Sequence, residues 1–163
     1  MTPEASRPEV PGYGIPTDTA GLLPWSWARE RLEGTIVYWL ATAGRDGRPH
    51  AIPIWGAWVD DRWYVEGGPT TRWQRNLRTN PAAAVHIERG SEVVIVEGDA
   101  RELVAPAPAL ARRILDGYDK YRSAASYEAS AEHWREGGLW EIRPVVAFGW
   151  TTFPDDMTRW RFG

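Results

Sequence analysis

The sequence predicts a mainly β, α+β domain whose strands close into an antiparallel barrel, and three observations carry that expectation. Short runs of β-branched and aromatic residues recur along the chain, divided by turn pairs such as Asp46-Gly47, Asp60-Asp61 and Gly90-Ser91. One short helical stretch follows the third strand, and one or two precede the last. The regular strand-helix alternation that builds a doubly wound parallel sheet is missing.

Residues 1–21 carry prolines at 3, 8, 11 and 16 and no apolar run. They are expected to form a flexible arm outside a domain spanning 22–163. In Pro24-Trp25-Ser26-Trp27-Ala28-Arg29-Glu30-Arg31-Leu32, Ser26 is placed to cap a short helix with apolar and charged faces. The run TIVYWLAT at 35–42 reads as the first strand, Asp46-Gly47 as a hairpin turn and 48–59 as the second strand. Asp60-Asp61 turns into a third strand over 62–66, which Gly67-Gly68-Pro69 breaks before a helix over 71–78. Asn80-Pro81 stops that helix, and 82–88 and 92–104 follow as the next two strands. Leu110, Ile114, Leu115 and Tyr118 share one face of a helix after Pro106 and Pro108, and 121–136 is expected to be helical as well. The sixth strand is 139–152, with Pro144 tolerable at an edge or bulge.

A chain of 163 residues fits one domain and can bury roughly two-thirds of its unfolded surface. The absence of cysteine excludes disulfides, thiolate metal sites and cysteine nucleophiles, and makes a reducing cytoplasm the expected setting. No stretch approaches the roughly 18 apolar residues of a membrane span, so a chain neither exported nor membrane-embedded is expected. A net charge of −3 and a pI near 5.7 argue against general affinity for nucleic acid. Any phosphate site must therefore be local. His50, His86 and His133 are too scattered to suggest a metal site, and the acidic pairs Asp60-Asp61 and Asp155-Asp156 suit turns better than acid-base chemistry. The Gly-rich dinucleotide fingerprint, the phosphate loop, the serine elbow and the zinc-protease helix are all missing. Eleven tryptophans suit interfaces and walls around planar ligands.

One segment keeps chemical promise: Gly67-Gly68-Pro69-Thr70-Thr71-Arg72-Trp73-Gln74-Arg75-Asn76-Leu77, which ends a strand and opens a helix. Free N–H groups at a helix start carry partial positive charge. Thr70 and Thr71 add hydroxyls at the cap, and Arg72 and Arg75 add guanidinium forks that suit phosphate oxygens.

From Leu23 to Phe162 the chain resembles the pyridoxamine 5′-phosphate oxidase-like flavin and deazaflavin split-barrel superfamily. The matching stretches are YWLAT at 38–42, DGRPHAIPIWGAW at 46–58, TRWQRNLRTNP at 71–81, VVIVEGDAREL at 93–103 and TRWRF at 158–162. The resemblance implies a six-stranded antiparallel split β-barrel with flanking short helices, working as a homodimer with FMN or the deazaflavin coenzyme F420 between subunits. It places the cofactor ring against His50, Ala51, Ile52, Pro53, Ile54 and Trp55, and the phosphate on the Thr70-Thr71-Arg72-Trp73 turn and Arg75. Trp150 and Arg161 would close on the ring from the partner subunit. Family members commonly carry lysine or arginine where this chain has Trp73, a difference that removes a phosphate contact of about 1.5–3 kcal/mol.

The expected activity is hydride exchange between the cofactor and a planar, conjugated small molecule, with the protein supplying orientation and electrostatics. Trp55, Trp58, Trp73, Trp150 and Trp160 are expected to wall the pocket, and Tyr38, Tyr64 and His50 are the candidate proton donors. The competing expectation is a non-catalytic barrel that sequesters flavin, deazaflavin, haem or a lipid. A third is a dimeric scaffold that has lost its cofactor.

Overall fold

The structure is a computed structural model describing residues 2–125 and 127–163. Its strands are β1 (Glu4–Ser6), β2 (Tyr38–Ala43), β3 (Pro49–Ile54), β4 (Ala57–Val59), β5 (Arg62–Glu66), β6 (Ala82–Arg89), β7 (Glu92–Leu103), β8 (Leu139–Trp150) and β9 (Thr158–Arg161). The helices are α1 (Trp25–Gly34), α2 (Arg72–Thr79), α3 (Pro108–Tyr118) and α4 (Lys120–Ala125), followed by a 3-10 turn over Ala131–Trp134. The strands form one antiparallel sheet in the order β1-β9-β8-β7-β6-β2-β3, with β5 on β8 and β4 on β5. This is a mainly β antiparallel architecture consistent with a split barrel. No helix among the described residues is long and apolar enough to cross a membrane.

The split lies in β8. Along one edge β8 pairs with β7; along the other, Leu139–Ile142 pair with β5 and Val146–Gly149 with β9. Arg143, Pro144 and Val145 lie between the two partners, and Pro144 has no N–H to leave unsatisfied there. The β7–β8 register shifts at Glu97/Gly98. A Cβ on Gly98 would stand 2.0 Å from the Arg143 carbonyl oxygen, so the kink admits only glycine.

All six expected strands form, and three strands arise beyond them. The expected 48–59 strand breaks into β3 and β4 at Trp55-Gly56. A Cβ on Gly56 would meet the Trp63 ring at 2.5 Å, and the Tyr121 hydroxyl accepts the Gly56 N–H at 2.9 Å, replacing a ladder bond. The arm expected to be flexible carries β1, which pairs with β9. Arg7 pins the residues that follow by donating to the carbonyls of Asp18, Met157 and Ala20. Such side-chain forks are invisible to a composition argument.

Three smaller expectations also shift. Helix α1 starts two residues early, at Trp25, with Pro24 rather than Ser26 at the N-cap. The helix expected over 121–136 shortens to α4 and the 3-10 turn, and Ser126 within that span lies outside the described residues. The last strand ends at Trp150 rather than 152.

The tryptophans explain the core. Trp25, Trp58, Trp63, Trp73, Trp140 and Trp160 share one buried cluster with Tyr38, Leu40, Val85 and Val96. Each buried indole removes on the order of 150–250 Å² from water, so a few strands can enclose a large apolar volume. A second cluster lies under α3, where Ala57, Tyr64, Ile114, Tyr118, Tyr121, Trp134 and Leu139 pack together.

Candidate functional site

Strand β3 ends the sheet: β2 is its one strand neighbour among the described residues. Pro49, Ala51 and Pro53 share one phase and face solvent, whereas His50, Ile52 and Ile54 are half-buried. In an antiparallel ladder alternate residues turn both N–H and C=O away from the partner, and prolines survive only in that phase. The free edge therefore offers three carbonyls and one donor, the Ala51 N–H. Ile52 and Ile54 pack on the main core and Trp55 on the second cluster, which fixes the strand's orientation.

Helix α2 packs on β2, the strand that pairs with β3. Trp73, Gln74, Asn76 and Leu77 face inward. Asn76 donates to the Thr42 hydroxyl at 3.0 Å, and Gln74 donates to the Gly67 carbonyl at 2.7 Å. These bonds leave Arg72 and Arg75 on the outer side, where Arg75 donates to the Thr70 carbonyl at 2.7 Å and holds the turn closed. Thr71 is the N-cap residue, but its hydroxyl oxygen makes no cap bond and is buried without a partner. The N–H groups of the first helical turn have no intrahelical acceptors. A buried orphan hydroxyl beside free donors and an exposed arginine is a place suited to an anion.

Residues 67–69 connect that helix start to a cavity of about 950 Å³. Pro53, Ile54 and Trp55 form one side, half-buried Tyr127 adds aromatic surface, and buried Tyr118 and Trp134 complete the lining. Trp55 stacks on Tyr121 at 4.8 Å and meets Tyr127 edge-on at 5.5 Å. Glu66 lies in the lining and accepts hydrogen bonds from the Tyr127 hydroxyl and the Trp134 indole N–H. Burial first, then the hydrogen bond and charge of Glu66, push the Tyr127 hydroxyl up and keep it a donor. Across the cavity, burial acts to raise the Glu102 carboxyl, but Arg78, helped by the Gly138 N–H, outweighs it and holds the group below the ordinary range. Arg78 also donates to the Pro69 carbonyl at 2.8 Å, which ties the cavity wall to the approach to α2.

The expected site residues divide into four groups. His50 to Trp55 form the β3 edge, with Pro53, Ile54 and Trp55 on the cavity; Thr70, Thr71, Arg72 and Arg75 form the helix start. Trp73 corrects the expectation: it is 3% exposed in the main core, because the helix needs an inward apolar anchor, and it cannot touch a ligand phosphate with its side chain. Trp150 and Arg161 lie elsewhere on the chain. Trp150 packs on Phe153, and Arg161 lines a second cleft of about 540 Å³ with Arg62 and Arg143.

The expected five-tryptophan wall does not form within the chain. Trp58, Trp73 and Trp160 are core residues, and Trp55 is the one of the five on the cavity lining. Nor do the tyrosine donors reach it. Tyr38 is enclosed between the Leu32 carbonyl and Lys120, Tyr64 bonds the buried Glu141, and burial raises both hydroxyls. Glu66, Tyr118, Tyr127 and Trp134 were not legible as site residues, since they come from three separated segments and carry no motif. Among the described residues, no group of three or more His, Asp or Glu is placed to hold a metal ion.

The pyridoxamine 5′-phosphate oxidase family model matches residues 27–150. No curated protein matches the chain by sequence. Among solved structures, it is similar to a conserved hypothetical protein from Mycobacterium tuberculosis at TM-score 0.65 and 19% identity, over 82% of this chain and 88% of that one. A heme binding protein from Mycobacterium smegmatis is similar at TM-score 0.64 and 20% identity over 80% of this chain; the match spans 54% of that protein, about half its length. An F420 reductase is similar at TM-score 0.58 and 22% identity, over 73% of this chain and 94% of that one. At such identities the structural likeness speaks for the fold alone.

Proposed function

Because this chain belongs to the pyridoxamine 5′-phosphate oxidase family, we propose that it binds FMN or the deazaflavin coenzyme F420 and serves as an oxidoreductase acting on a planar, conjugated small molecule. One observation carries this reading: residues 67–69 join the aromatic cavity beside Pro53–Trp55 to a helix start whose Thr71 oxygen is buried and unpartnered. The distribution suits a molecule with a flat ring at one end and a phosphate at the other.

In this reading Thr71, the first-turn N–H groups of α2, Arg72 and Arg75 hold the phosphate. The β3 edge presents the Ala51 N–H and its neighbouring carbonyls to the polar rim of the ring, and Pro53, Ile54 and Trp55 exclude water from one side. The bound coenzyme supplies hydride chemistry. The protein orients the partner molecule in the cavity, where the Tyr127 hydroxyl is, among the described residues, the phenol that donates to a carboxylate on the lining.

The same reading needs a second copy of the chain. Pro53, Trp39, His86, Ile95 and Phe148 are successive cross-strand partners on the outer face of the sheet. Trp39 is 37% exposed there and stacks flat on His86 at 6.3 Å. Such an apolar row fits a homodimer interface, and a partner would bring Trp150 and Arg161 toward the groove. Light scattering should give the mass of two chains; a strict monomer that still binds coenzyme tightly refutes the dimeric groove.

A second reading, a barrel that sequesters haem or a flavin without turnover, draws on one feature. His133 is the one histidine on the cavity lining among the described residues, and imidazole is a common haem-iron ligand. Titrating the protein with FMN, coenzyme F420 and haemin, followed by tryptophan quenching, separates the readings. Saturable micromolar or tighter binding of FMN or F420, with substrate-dependent oxidation of the reduced coenzyme, supports the enzyme. Tight haemin binding that His133→Ala abolishes, with neither coenzyme bound, supports sequestration.

A further inference from the structure

We infer that the cavity beyond β3 prefers flat aromatic molecules bearing a cationic nitrogen, an acridinium or amidinium, over flat carboxylates. This deepens the proposed function and rests on its reading of the groove as the ligand site. The argument begins with the wall. Half-buried Trp55 and Tyr127 give the cavity its accessible aromatic faces, with buried Tyr118 and Trp134 completing the lining, and the rings lie 5.5 to 6.3 Å apart where Tyr127 meets Trp55 and Tyr118. Aromatic faces carry negative quadrupole potential, so such a wall attracts cations as well as apolar rings.

The second part is Glu66. Its carboxylate accepts from a phenol and an indole, both neutral donors, and has no guanidinium or ammonium partner among the described residues. Trp134 is fully buried and cannot swing aside, so the carboxylate is held in place on the lining. Each carboxylate oxygen has a second lone pair, which leaves room for an N–H from a ligand. Arg78, the one guanidinium of the lining, is committed to Glu102 at 3.2 Å, to Gln74 at 3.0 Å and to the Pro69 carbonyl at 2.8 Å. Glu136 adds a further carboxylate on the exposed lip. A flat carboxylate entering here would meet the charge of Glu66 and Glu136 with Arg78 already committed, and only the exposed His133 imidazole as a further nitrogen base on the lining among the described residues, which disfavours it. Specificity thus runs opposite to that of the α2 start a few residues away.

The test uses the full-length protein and two three-ring probes of similar width, the cation proflavine and the anion anthracene-9-carboxylate, titrated by tryptophan quenching. Proflavine should bind at least about tenfold more tightly, and Glu66→Gln should cut that preference by about fivefold or more. Gln keeps an acceptor oxygen for Tyr127 or Trp134, and Glu136→Gln, on the exposed lip, gives a second variant that cannot disturb the fold; it should reduce the preference by about twofold. Equal affinities, an anion preference, or a preference unchanged in both variants overturns the inference. FMN and F420 titrations on the same samples keep the two readings apart. Cation preference without coenzyme binding overturns the coenzyme reading alone, and coenzyme binding without cation preference overturns this inference alone.

Discussion

The start of α2 and the cavity beside it are joined by residues 67–69, yet they are built in opposite ways. The helix start is contiguous in sequence and cationic, with Thr71, Arg72 and Arg75 within five residues and both arginines exposed. The cavity draws on β3, β5, α3 and the segment before β8, lies against a buried aromatic cluster, and carries its carboxylates on neutral donors or Arg78. The difference teaches where binding and stability are coupled. A residue at the helix start can change affinity without changing the fold, whereas a residue of the cavity wall serves both.

The largest expected effect comes from the wall. Trp134 is fully buried and holds Glu66, so Trp134→Ala should lower stability by about 3–5 kcal/mol, read as a drop in the midpoint of denaturant unfolding. A loss under 1 kcal/mol would break the comparison by making the wall as dispensable as the helix start. Arg72→Ala comes next: coenzyme affinity should fall by about 1.5–3 kcal/mol in a fluorescence titration, while thermal stability stays within about 0.5 kcal/mol because the side chain is exposed. Thr71→Val sharpens the point further. Removing an orphan hydroxyl should leave stability unchanged or slightly higher, and should weaken coenzyme binding by about 1 kcal/mol if that oxygen bonds the phosphate.

These contrasts also explain what could be read from the sequence. Each of the six strands was legible because its apolar pattern and turn residues are local, and the helix start was legible for the same reason. Gly98 and Pro144 set the split through a single close approach between distant strands, which no local pattern announces. The abundance of tryptophan was misleading. An indole that fills the core and one that walls a ligand have the same composition signature, and Trp58, Trp73 and Trp160 turned out to fill the core. Tyr127 and Trp134 lie in a weakly patterned stretch, and tertiary contacts that no local pattern announces bring them to Glu66.

A pH dependence is also expected behind the wall. Burial pushes the Lys120 ammonium down from 10.5 to about 8, between the rings of Tyr38 and Tyr121. A folded value below the unfolded one means that the unfolded chain binds more protons between about pH 8 and 10, so stability rises across that window. Above about pH 10 the sign reverses. Burial holds Tyr38 and Tyr118 well above 10.0, so the unfolded chain loses those protons first and stability falls. Thermal melts from pH 7 to 11 should therefore pass through a maximum near pH 10, and Lys120→Met should remove the rise but keep the fall.

The most direct test of the central claim, a phosphate-holding helix start joined to a ring-holding cavity, is a paired titration of the protein with FMN and with riboflavin, which lacks the phosphate, repeated for coenzyme F420 and its unphosphorylated deazaflavin core. The account predicts that the phosphorylated member of one pair binds at least about tenfold more tightly and that Arg72→Ala erases most of the difference. Equal affinity within both pairs, or a preference that survives Arg72→Ala and Thr71→Val together, would contradict it.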